Sequence, residues 1–259
     1  MTTNIHSTAI IEKGAQLGEN VTIGPFSIIG PNVTIGDGNR IDSHVSIDGH
    51  TKIGDDNHFF PYCSIGSAPQ SIAYKGEDTV TEIGSRNVFR ENLTVSRGTV
   101  DDEGITSVGD DNFFMAYCHI AHDCRLGSNL IFANSACLAG HVHVGDYVIM
   151  SGYSLVHQFC RVGSHCFTGP SAVCIQDVPP YTLVAGNRAI THGINVRGLR
   201  RRGFESEDIT ELKRAYKIIY RSGFTLQNAI EKIKQQEFNS EHVTALIQFI
   251  QESKRGVIR

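Results

Sequence analysis

Apolar residues return at every sixth position along most of the first 178 residues of the chain. In the longest run, from Val108 to Val178, eleven of the twelve first positions are apolar, and the fifth positions are nearly all small or apolar. A helix does not produce this period, because its apolar stripe returns every three or four residues. Short strands joined by tight turns do produce it, and six-residue repeats are typical of a parallel β-helix.

The period also sets the geometry of the predicted fold. Three repeats close one triangular coil, so residues eighteen apart lie on neighbouring coils about 4.8 Å apart. Earlier runs begin at Ile5 and Ile83, which brings the total to 26 repeats, or nearly nine coils. We therefore predict an all-β fold, a β-helix roughly 40 Å tall. We expect left-handed coils, as six-residue repeats usually form, although most parallel crossovers are right-handed.

Three further features divide the chain. The period fails at about 67–82 and 97–107, which predicts two loops leaving the β-helix, and such loops are often functional. It ends at Pro179-Pro180, because proline cannot donate to a strand ladder. Helical spacing of apolar residues then follows Ser206, Thr225 and Ser240, which we predict to be the N-caps of three helices. We predict a β-helix domain over 1–186 and a small C-terminal α-helical domain over 187–259.

Composition narrows the class of protein. The chain has 26 glycines and no tryptophan, and it contains no apolar run near the roughly 20 residues of a membrane span. The polar N-terminus lacks a signal-peptide profile, so we expect a cytoplasmic protein. Most of the seven cysteines fall on the small, inward fifth position, where a thiol acts as a buried apolar group. That placement argues against disulfides.

Charge is unevenly distributed along the chain. Residues 187–259 hold 14 Lys and Arg against 8 Asp and Glu, whereas the rest of the chain holds 9 against 19. A basic end on an acidic body suggests that an acidic partner docks at the C-terminus, and we expect no nucleic-acid partner. A merely solvated helical surface would have the same composition.

Three histidines recur at the spacing of successive coils. His141 follows His122 by nineteen residues and His157 follows His141 by sixteen, which predicts a patch about 10 Å high outside the inward columns. One hypothesis is a general base oriented by Asp123, since imidazole titrates near neutrality. A second is a zinc site made of three imidazoles, and a third is a polar surface without chemistry. The run Arg200-Arg201-Arg202 could clamp a diphosphate or be a basic surface.

Six motifs in order resemble one known family across essentially the whole chain. They are His119-Ile120-Ala121-His122-Asp123-Cys124, Leu138-Ala139-Gly140-His141-Val142, Val156-His157-Gln158-Phe159-Cys160, Gln176-Asp177-Val178-Pro179-Pro180-Tyr181, Gly198-Leu199-Arg200-Arg201-Arg202-Gly203-Phe204 and Ala215-Tyr216-Lys217. The family is that of the UDP-N-acetylglucosamine O-acyltransferases, which begin lipid A biosynthesis in Gram-negative bacteria. Several motifs together are more specific than the repeats, which many acyltransferases share.

The resemblance implies a left-handed β-helix with a helical C-terminal domain, a homotrimer, and active sites in clefts between subunits. The implied reaction moves a 3-hydroxyacyl chain from acyl carrier protein to the 3-hydroxyl of UDP-N-acetylglucosamine, without a covalent enzyme intermediate, a cofactor or a metal. His122 would be the general base, Asp123 its partner, and the Gly140 N–H the oxyanion donor. The sugar and acyl site would comprise Gln70, His119, His141, His157 and Gln158, and the uridine diphosphate end would contact Asn195, Arg201 and Arg202. The basic C-terminal helices would receive the carrier protein.

The loop near Gln70 departs from the family pattern. Ser71 and Ala73 stand where Asp and Lys are commoner, and Arg197 stands where relatives are often acidic. Two other hypotheses stay open at this point: a zinc enzyme of the β-helical carbonic anhydrase type, and a non-catalytic β-helix scaffold.

Overall fold

The computed structural model describes residues 3–259, which form twenty-eight strands and four helices. The strands are β1 (Asn4–Ile5), β2 (Ile10–Ile11), β3 (Gln16–Leu17), β4 (Thr22–Ile23), β5 (Ile28–Ile29), β6 (Val33–Ile35), β7 (Arg40–Ile41), β8 (Ser46–Ile47), β9 (His50–Ile53), β10 (His58–Phe59), β11 (Ser64–Ser67), β12 (Val80–Ile83), β13 (Val88–Phe89), β14 (Thr94–Ser96), β15 (Ile105–Val108), β16 (Phe113–Phe114), β17 (His119–Ile120), β18 (Arg125–Leu126), β19 (Ile131–Phe132), β20 (Cys137–Leu138), β21 (His143–Val144), β22 (Ile149–Met150), β23 (Leu155–Val156), β24 (Arg161–Val162), β25 (Phe167–Thr168), β26 (Val173–Cys174), β27 (Thr182–Ala185) and β28 (Ile190–Ile194). The helices are α1 (Val196–Arg201), α2 (Ser206–Arg221), α3 (Leu226–Lys234) and α4 (Glu241–Glu252).

Every third strand pairs in parallel, which builds a prism with three faces. The first face has eleven strands and runs from β1 to β28, the second has nine and runs from β2 to β26, and the third has eight and runs from β3 to β24. The register confirms the eighteen-residue coil, since Ile5 is paired with Ile23 and Phe114 with Phe132. The predicted left-handed β-helix of about nine coils is thereby confirmed.

The first and fifth positions of the repeats fill the prism axis. Phe59, Phe89, Phe114 and Phe132 are fully buried and in contact on successive coils, with ring centroids 4.8 to 5.3 Å apart. The cysteines at the fifth position are buried as free thiols, and burial raises the pKa of Cys124 to about 12. These thiols are therefore small core groups rather than nucleophiles.

The corners of the prism use a backbone conformation that is rare for residues other than glycine. Asp123 (φ 59°) and His141 (φ 60°) are two of many corner residues with positive φ. Each ends a two-residue turn between a strand of the second face and one of the third. Consequently, polar side chains on successive coils project from the same corner.

A ladder of buried amides occupies another corner, and the repeat pattern did not predict it. Asn57 Nδ2 donates to Asn39 Oδ1 over 3.0 Å, and Asn87 Nδ2 donates to Asn57 Oδ1 over 3.0 Å. The backbone N–H of Asn112 donates to Asn87 Oδ1 over 2.9 Å. The ladder satisfies polar groups that the turns would otherwise bury without partners.

Both loops are shorter than predicted at their C-terminal ends. They span 68–79 and 97–104, because β12 and β15 are four-residue strands that begin at Val80 and Ile105. The buried residues that extend these strands, Thr81 and Thr106, are polar, so the six-residue apolar pattern did not include them.

The chain beyond the prolines also differs from expectation. Pro179-Pro180 does not end the first face, because β27 pairs in parallel with β25, and β28 then returns antiparallel within the segment that we predicted to be helical. Helix α1 was not predicted. Helix α2 is capped by Glu205 rather than by Ser206, whereas Thr225 caps α3 as expected, accepting from the Asn228 N–H.

The helices share a core of their own, centred on Leu199, Leu212, Ile219 and Leu246. Tyr181 and Val257 also belong to this core, and the backbone of Asp177 is paired with the C-terminal segment. The helices are thus packed on the last coils of the prism. Within residues 3–259, no helix combines the length and apolar character needed to cross a bilayer.

Candidate active site

Four of the predicted residues meet at one corner of the prism, between the second and third faces. The turn that carries His122 and Asp123 joins β17 to β18, and the turn that carries Gly140 and His141 joins β20 to β21. Because β17 is paired with β20 in register, the two turns are stacked one coil apart. The coil period therefore brings together groups that are eighteen residues apart in sequence.

His122 and Asp123 form a hydrogen-bonded dyad. His122 Nδ1 lies 2.8 Å from Asp123 Oδ2, and the carboxylate is buried, with 1% of its side chain exposed, while the imidazole is 19% exposed. A carboxylate can only accept, so Nδ1 carries the proton and Nε2 keeps its lone pair in the neutral imidazole. The arrangement suits a general base, because Nε2 makes no hydrogen bond within residues 3–259.

Gly140 lies against the face of this imidazole. A Cβ on Gly140 would lie 2.6 Å from His122 Cε1 and 2.8 Å from Nε2, closer than any side chain allows. The Gly140 carbonyl accepts from the Phe159 N–H, whereas the Gly140 N–H has no acceptor among the described residues. A free backbone donor beside a candidate base is the geometry that stabilises an oxyanion in acyl transfer.

His141 is held by different partners from His122. Its Nδ1–H donates to Asp102 Oδ2 over 3.0 Å, and its ring stacks on Phe159 at 4.3 Å and meets the His122 ring edge-on at 5.0 Å. The hydrogen bond from His141 holds the pKa of Asp102 below its usual value. His141 is therefore fixed in position beside the dyad.

His119 lies on the outer surface of the second face, one strand before His122. Its Nδ1 is 2.7 Å from Thr94 Oγ1, on the preceding coil. Burial lowers the pKa of His119, and the neighbouring His122 lowers it further. His119 is therefore neutral at pH 7 and available as a hydrogen-bonding group.

His157, Gln158 and Gln70 lie farther from the dyad. His157 and Gln158 are exposed on the next coil, where His157 Nδ1 is 3.4 Å from an Arg255 guanidinium nitrogen. Gln70 is exposed in loop 68–79 and makes no hydrogen bond with the histidines in the described part of the chain. Ser71 and Ala73 of that loop line a cavity of about 120 Å³ with Thr99.

The predicted diphosphate residues lie at the start of the helical domain. Asn195 caps α1 by accepting from the Gly198 N–H, and its Nδ2 donates to the His165 carbonyl over 2.9 Å. Arg201 is exposed at the end of α1. Arg202 is half-buried over the Tyr147 ring at 5.1 Å, and burial lowers its pKa. Within residues 3–259 of one chain, these residues make no hydrogen bond with the side chains of His119, His122, His141 or His157.

Relatives of this chain are numerous and similar over their full length. An acyl-[acyl-carrier-protein]–UDP-N-acetylglucosamine O-acyltransferase of Janthinobacterium sp. (strain Marseille) is 51% identical, covering 98% of this chain and 99% of the relative. One of Halorhodospira halophila is also 51% identical, covering 99% and 100%.

The chain belongs to the UDP-N-acetylglucosamine O-acyltransferase family.

Family descriptions and solved structures agree with this assignment. Residues 177–258 match "Udp N-acetylglucosamine O-acyltransferase; Domain 2", and residues 2–36 and 14–49 match "Bacterial transferase hexapeptide (six repeats)". The acyltransferase of Bacteroides fragilis superposes with a TM-score of 0.96 at 40% identity, covering 98% of this chain and 99% of that chain. The enzyme of Acinetobacter baumannii gives 0.96 at 44% identity, with the same coverage.

The only group of metal-ligating atoms found in residues 3–259 differs from the predicted zinc site. His122, Asp123 and His141 offer atoms within 4.8 Å of one another, and His157 is not among them. Both Asp123 oxygens already accept hydrogen bonds from Thr99, and Oδ2 also accepts one from His122. A metal bound at this site would have to displace the hydrogen bonds that orient His122 and Asp123.

Two residues of this candidate site were not identified from the sequence. Thr99 and Asp102 contact Asp123 and His141, respectively, from loop 97–104. They lie where the repeat is interrupted, so no register predicted their partners. The available signal was the acidic run Asp101-Asp102-Glu103, which interrupts the repeats shortly before the histidine motif.

Proposed function

We propose that this protein transfers a 3-hydroxyacyl chain from acyl carrier protein to the 3-hydroxyl of UDP-N-acetylglucosamine, the first step of lipid A biosynthesis. Relatives that share half of its residues are named acyl-[acyl-carrier-protein]–UDP-N-acetylglucosamine O-acyltransferases. The observation that carries the mechanism is the His122–Asp123 dyad, with a free Gly140 N–H beside it.

The dyad supports a direct attack of the sugar on the thioester. His122 Nε2 takes the proton of the sugar hydroxyl as its oxygen bonds to the thioester carbonyl carbon. The carbonyl becomes a tetrahedral oxyanion, toward which the Gly140 N–H donates. Collapse re-forms the carbonyl, breaks the carbon–sulfur bond and releases the carrier thiolate, which receives the proton from the imidazolium.

Asp123 stabilises the imidazolium that exists between these two steps. A buried carboxylate 2.8 Å from Nδ1 interacts more strongly with that charge than it would in water. The phosphopantetheine thiol arrives on the carrier, so we propose that the enzyme needs no cofactor of its own and no metal.

An apolar stripe on the first face supports assembly into a homotrimer. Six outward residues lie in register on successive coils and are incompletely buried: Val88, Phe113, Ile131, Ile149, Phe167 and Leu183. A contiguous stripe of this kind is typical of a protein–protein interface. We propose that neighbouring subunits cover it and that the active site is completed in the cleft between them. Ile131→Glu should dissociate the trimer, as measured by light scattering after size-exclusion chromatography.

Charge supports the positions of the two substrates. The helical domain is basic, which suits an acidic carrier protein. Arg201 and Arg202 carry charges suited to a diphosphate. We propose that Gln70, His119, His141, His157 and Gln158 line the sugar and acyl site, and that Asn195 contributes at the uridine diphosphate end. The cytoplasmic location stays a prediction.

The decisive experiment compares two histidine variants in an acyl-transfer assay with acyl carrier protein thioesters and UDP-N-acetylglucosamine. His122→Ala should fold and assemble normally but lose activity by about 10²- to 10⁴-fold, the usual contribution of general acid–base catalysis. His143→Ala is the matched control, because His143 lies on the third face and lines a groove that includes neither His122 nor Asp123. Near-normal activity of His122→Ala would refute the mechanism, and loss of activity on chelation would favour a zinc enzyme.

A further inference from the structure

Loop 97–104 leaves the prism after β14 and returns to hold the carboxylate of the dyad. Thr99 is 4% exposed and sits over Asp123, which is fully enclosed. The Thr99 N–H donates to Asp123 Oδ1 over 2.8 Å, and the Thr99 hydroxyl donates to Oδ2 over 2.6 Å. One residue therefore provides donors to both carboxylate oxygens.

These two hydrogen bonds define the orientation of the carboxylate plane. The last torsion of an aspartate side chain has no sharp staggered minima, so a free carboxylate samples a broad range of rotations. With Oδ1 and Oδ2 each held by Thr99, Oδ2 is fixed toward His122 Nδ1 at 2.8 Å. The rotation of Asp123 in turn determines the tautomer and the orientation of the imidazole.

The loop is closely pinned at its base. A Cβ on Gly98 would lie 2.3 Å from the carbonyl carbon of Gly104 and 2.3 Å from the Ile105 nitrogen, so the two ends of the loop touch. The Gly98 N–H also donates to the Val80 carbonyl over 3.2 Å. Thr99, the next residue, is thus presented on a fixed backbone.

The same loop holds the second imidazole of the site. Asp102 Oδ2 accepts from His141 Nδ1–H over 3.0 Å. Loop 97–104 therefore contacts both turns of the corner. Thr99 contacts Asp123, which is hydrogen-bonded to the His122 imidazole, and Asp102 contacts the His141 imidazole directly.

We propose that Thr99 is a positioning residue for the acyl transfer: by fixing both oxygens of Asp123, it holds His122 in the tautomer and orientation of the general base. Thr99 acts through Asp123 and touches no substrate. The inference rests on the proposed function, because it assigns Thr99 a role in the same proton transfer.

The test begins with three threonine variants of the full-length protein. Thr99→Val keeps the shape and the backbone N–H but removes the hydroxyl, and it should lower kcat by roughly 10- to 100-fold, the factor expected for losing a hydrogen bond to a charged group. KM for both substrates should change little. Thr99→Ser keeps the hydroxyl, so its kcat should lie within about three-fold of the wild-type value, a difference that corresponds to the loss of one methyl group. Thr81→Val is the matched control, because the buried Thr81 hydroxyl has no partner within residues 3–259.

A double-mutant cycle separates positioning from general destabilisation. Asp123→Asn removes the carboxylate charge and keeps a residue that tolerates the left-handed corner. In that background Thr99→Val should cause no further loss of kcat. If Thr99→Val does not fold, Thr99→Ala replaces it in the same cycle. Equal losses in both backgrounds, a wild-type kcat for Thr99→Val, or failure of Thr99→Ser to rescue would each overturn the inference.

The two proposals fail in distinguishable ways. If wild-type protein transfers no acyl chain, or if His122→Ala is fully active, the proposed function is wrong. If His122→Ala is inactive while Thr99→Val retains wild-type kcat, the function holds and only the positioning role is wrong.

Discussion

Adding one methyl group at Gly140 should disable the base without disturbing the fold. A Cβ at this position would lie 2.6 Å from His122 Cε1, whereas ordinary contact begins at 3.4 Å, so the imidazole must withdraw by about 0.8 Å. A shift of that size along the line to Asp123 would stretch the 2.8 Å hydrogen bond to about 3.6 Å, beyond normal reach. Misplacement of a catalytic group by about 1 Å costs roughly 10²-fold. Gly140→Ala should therefore lower kcat by about that factor.

The assay is the initial rate at which the carrier thiol is released in the presence of UDP-N-acetylglucosamine. Gly140 has no positive φ, so alanine brings no backbone strain, and the thermal unfolding midpoint should change little. Gly152→Ala is the stability control, because its Cβ would meet the nearest atom, the Asn134 carbonyl oxygen, at 3.4 Å. If Gly140→Ala keeps its wild-type kcat, or if it loses activity only because it unfolds, the reasoning is refuted.

Three further predictions concern stability and substrate binding. His165→Phe should reduce the loss of stability at acid pH. Burial lowers the His165 pKa to about 4, so the stability contributed by the neutral imidazole is complete above pH 6.5 and is lost as the pH falls toward 4. Unfolding midpoints of variant and wild type across that window measure the difference. Asn87→Ala should cost about 1–3 kcal/mol in urea unfolding, because the buried Asn112 N–H loses its acceptor, and an unchanged midpoint would contradict this role of the ladder. Arg202→Met should keep the packing on Tyr147 and raise KM for the UDP-sugar with little change in kcat; an unchanged KM would remove Arg202 from the diphosphate site.

Burial explains why so much of the prism could be predicted from the sequence. Each repeat must place an apolar side chain at the axis, so residues such as Phe89 and Ile120 reveal their position through their spacing. Because the register is rigid, the same count places His122 and His141 on adjacent turns. Helix α1 was missed because six residues are too few to show an apolar period.

The contacts that finish the site could not be predicted in this way. Thr99 reaches Asp123 through a loop without periodicity, and its place depends on the close approach of Gly98 to Gly104. The Asn39 to Asn112 ladder was not predicted either, because a polar side chain at a fifth position finds its hydrogen-bond partners only on neighbouring coils. Pairings that depend on hydrogen bonds rather than on burial leave no regular trace in sequence.

Because the coils are stacked at a fixed spacing, the distance along the prism axis between the dyad and the helical domain changes in steps of one coil. Inserting or deleting eighteen residues between Val142 and Asp177 would keep every inward column aligned, yet it would move the basic helices by one strand spacing, about 4.8 Å, along the prism axis. Six residues more or fewer would keep the inward columns aligned but would move the helices to another face, and a loop such as 68–79 adds residues without adding a coil. On a given face, evolution can therefore adjust this span only by whole coils, and finer adjustment must come from side chains along the groove.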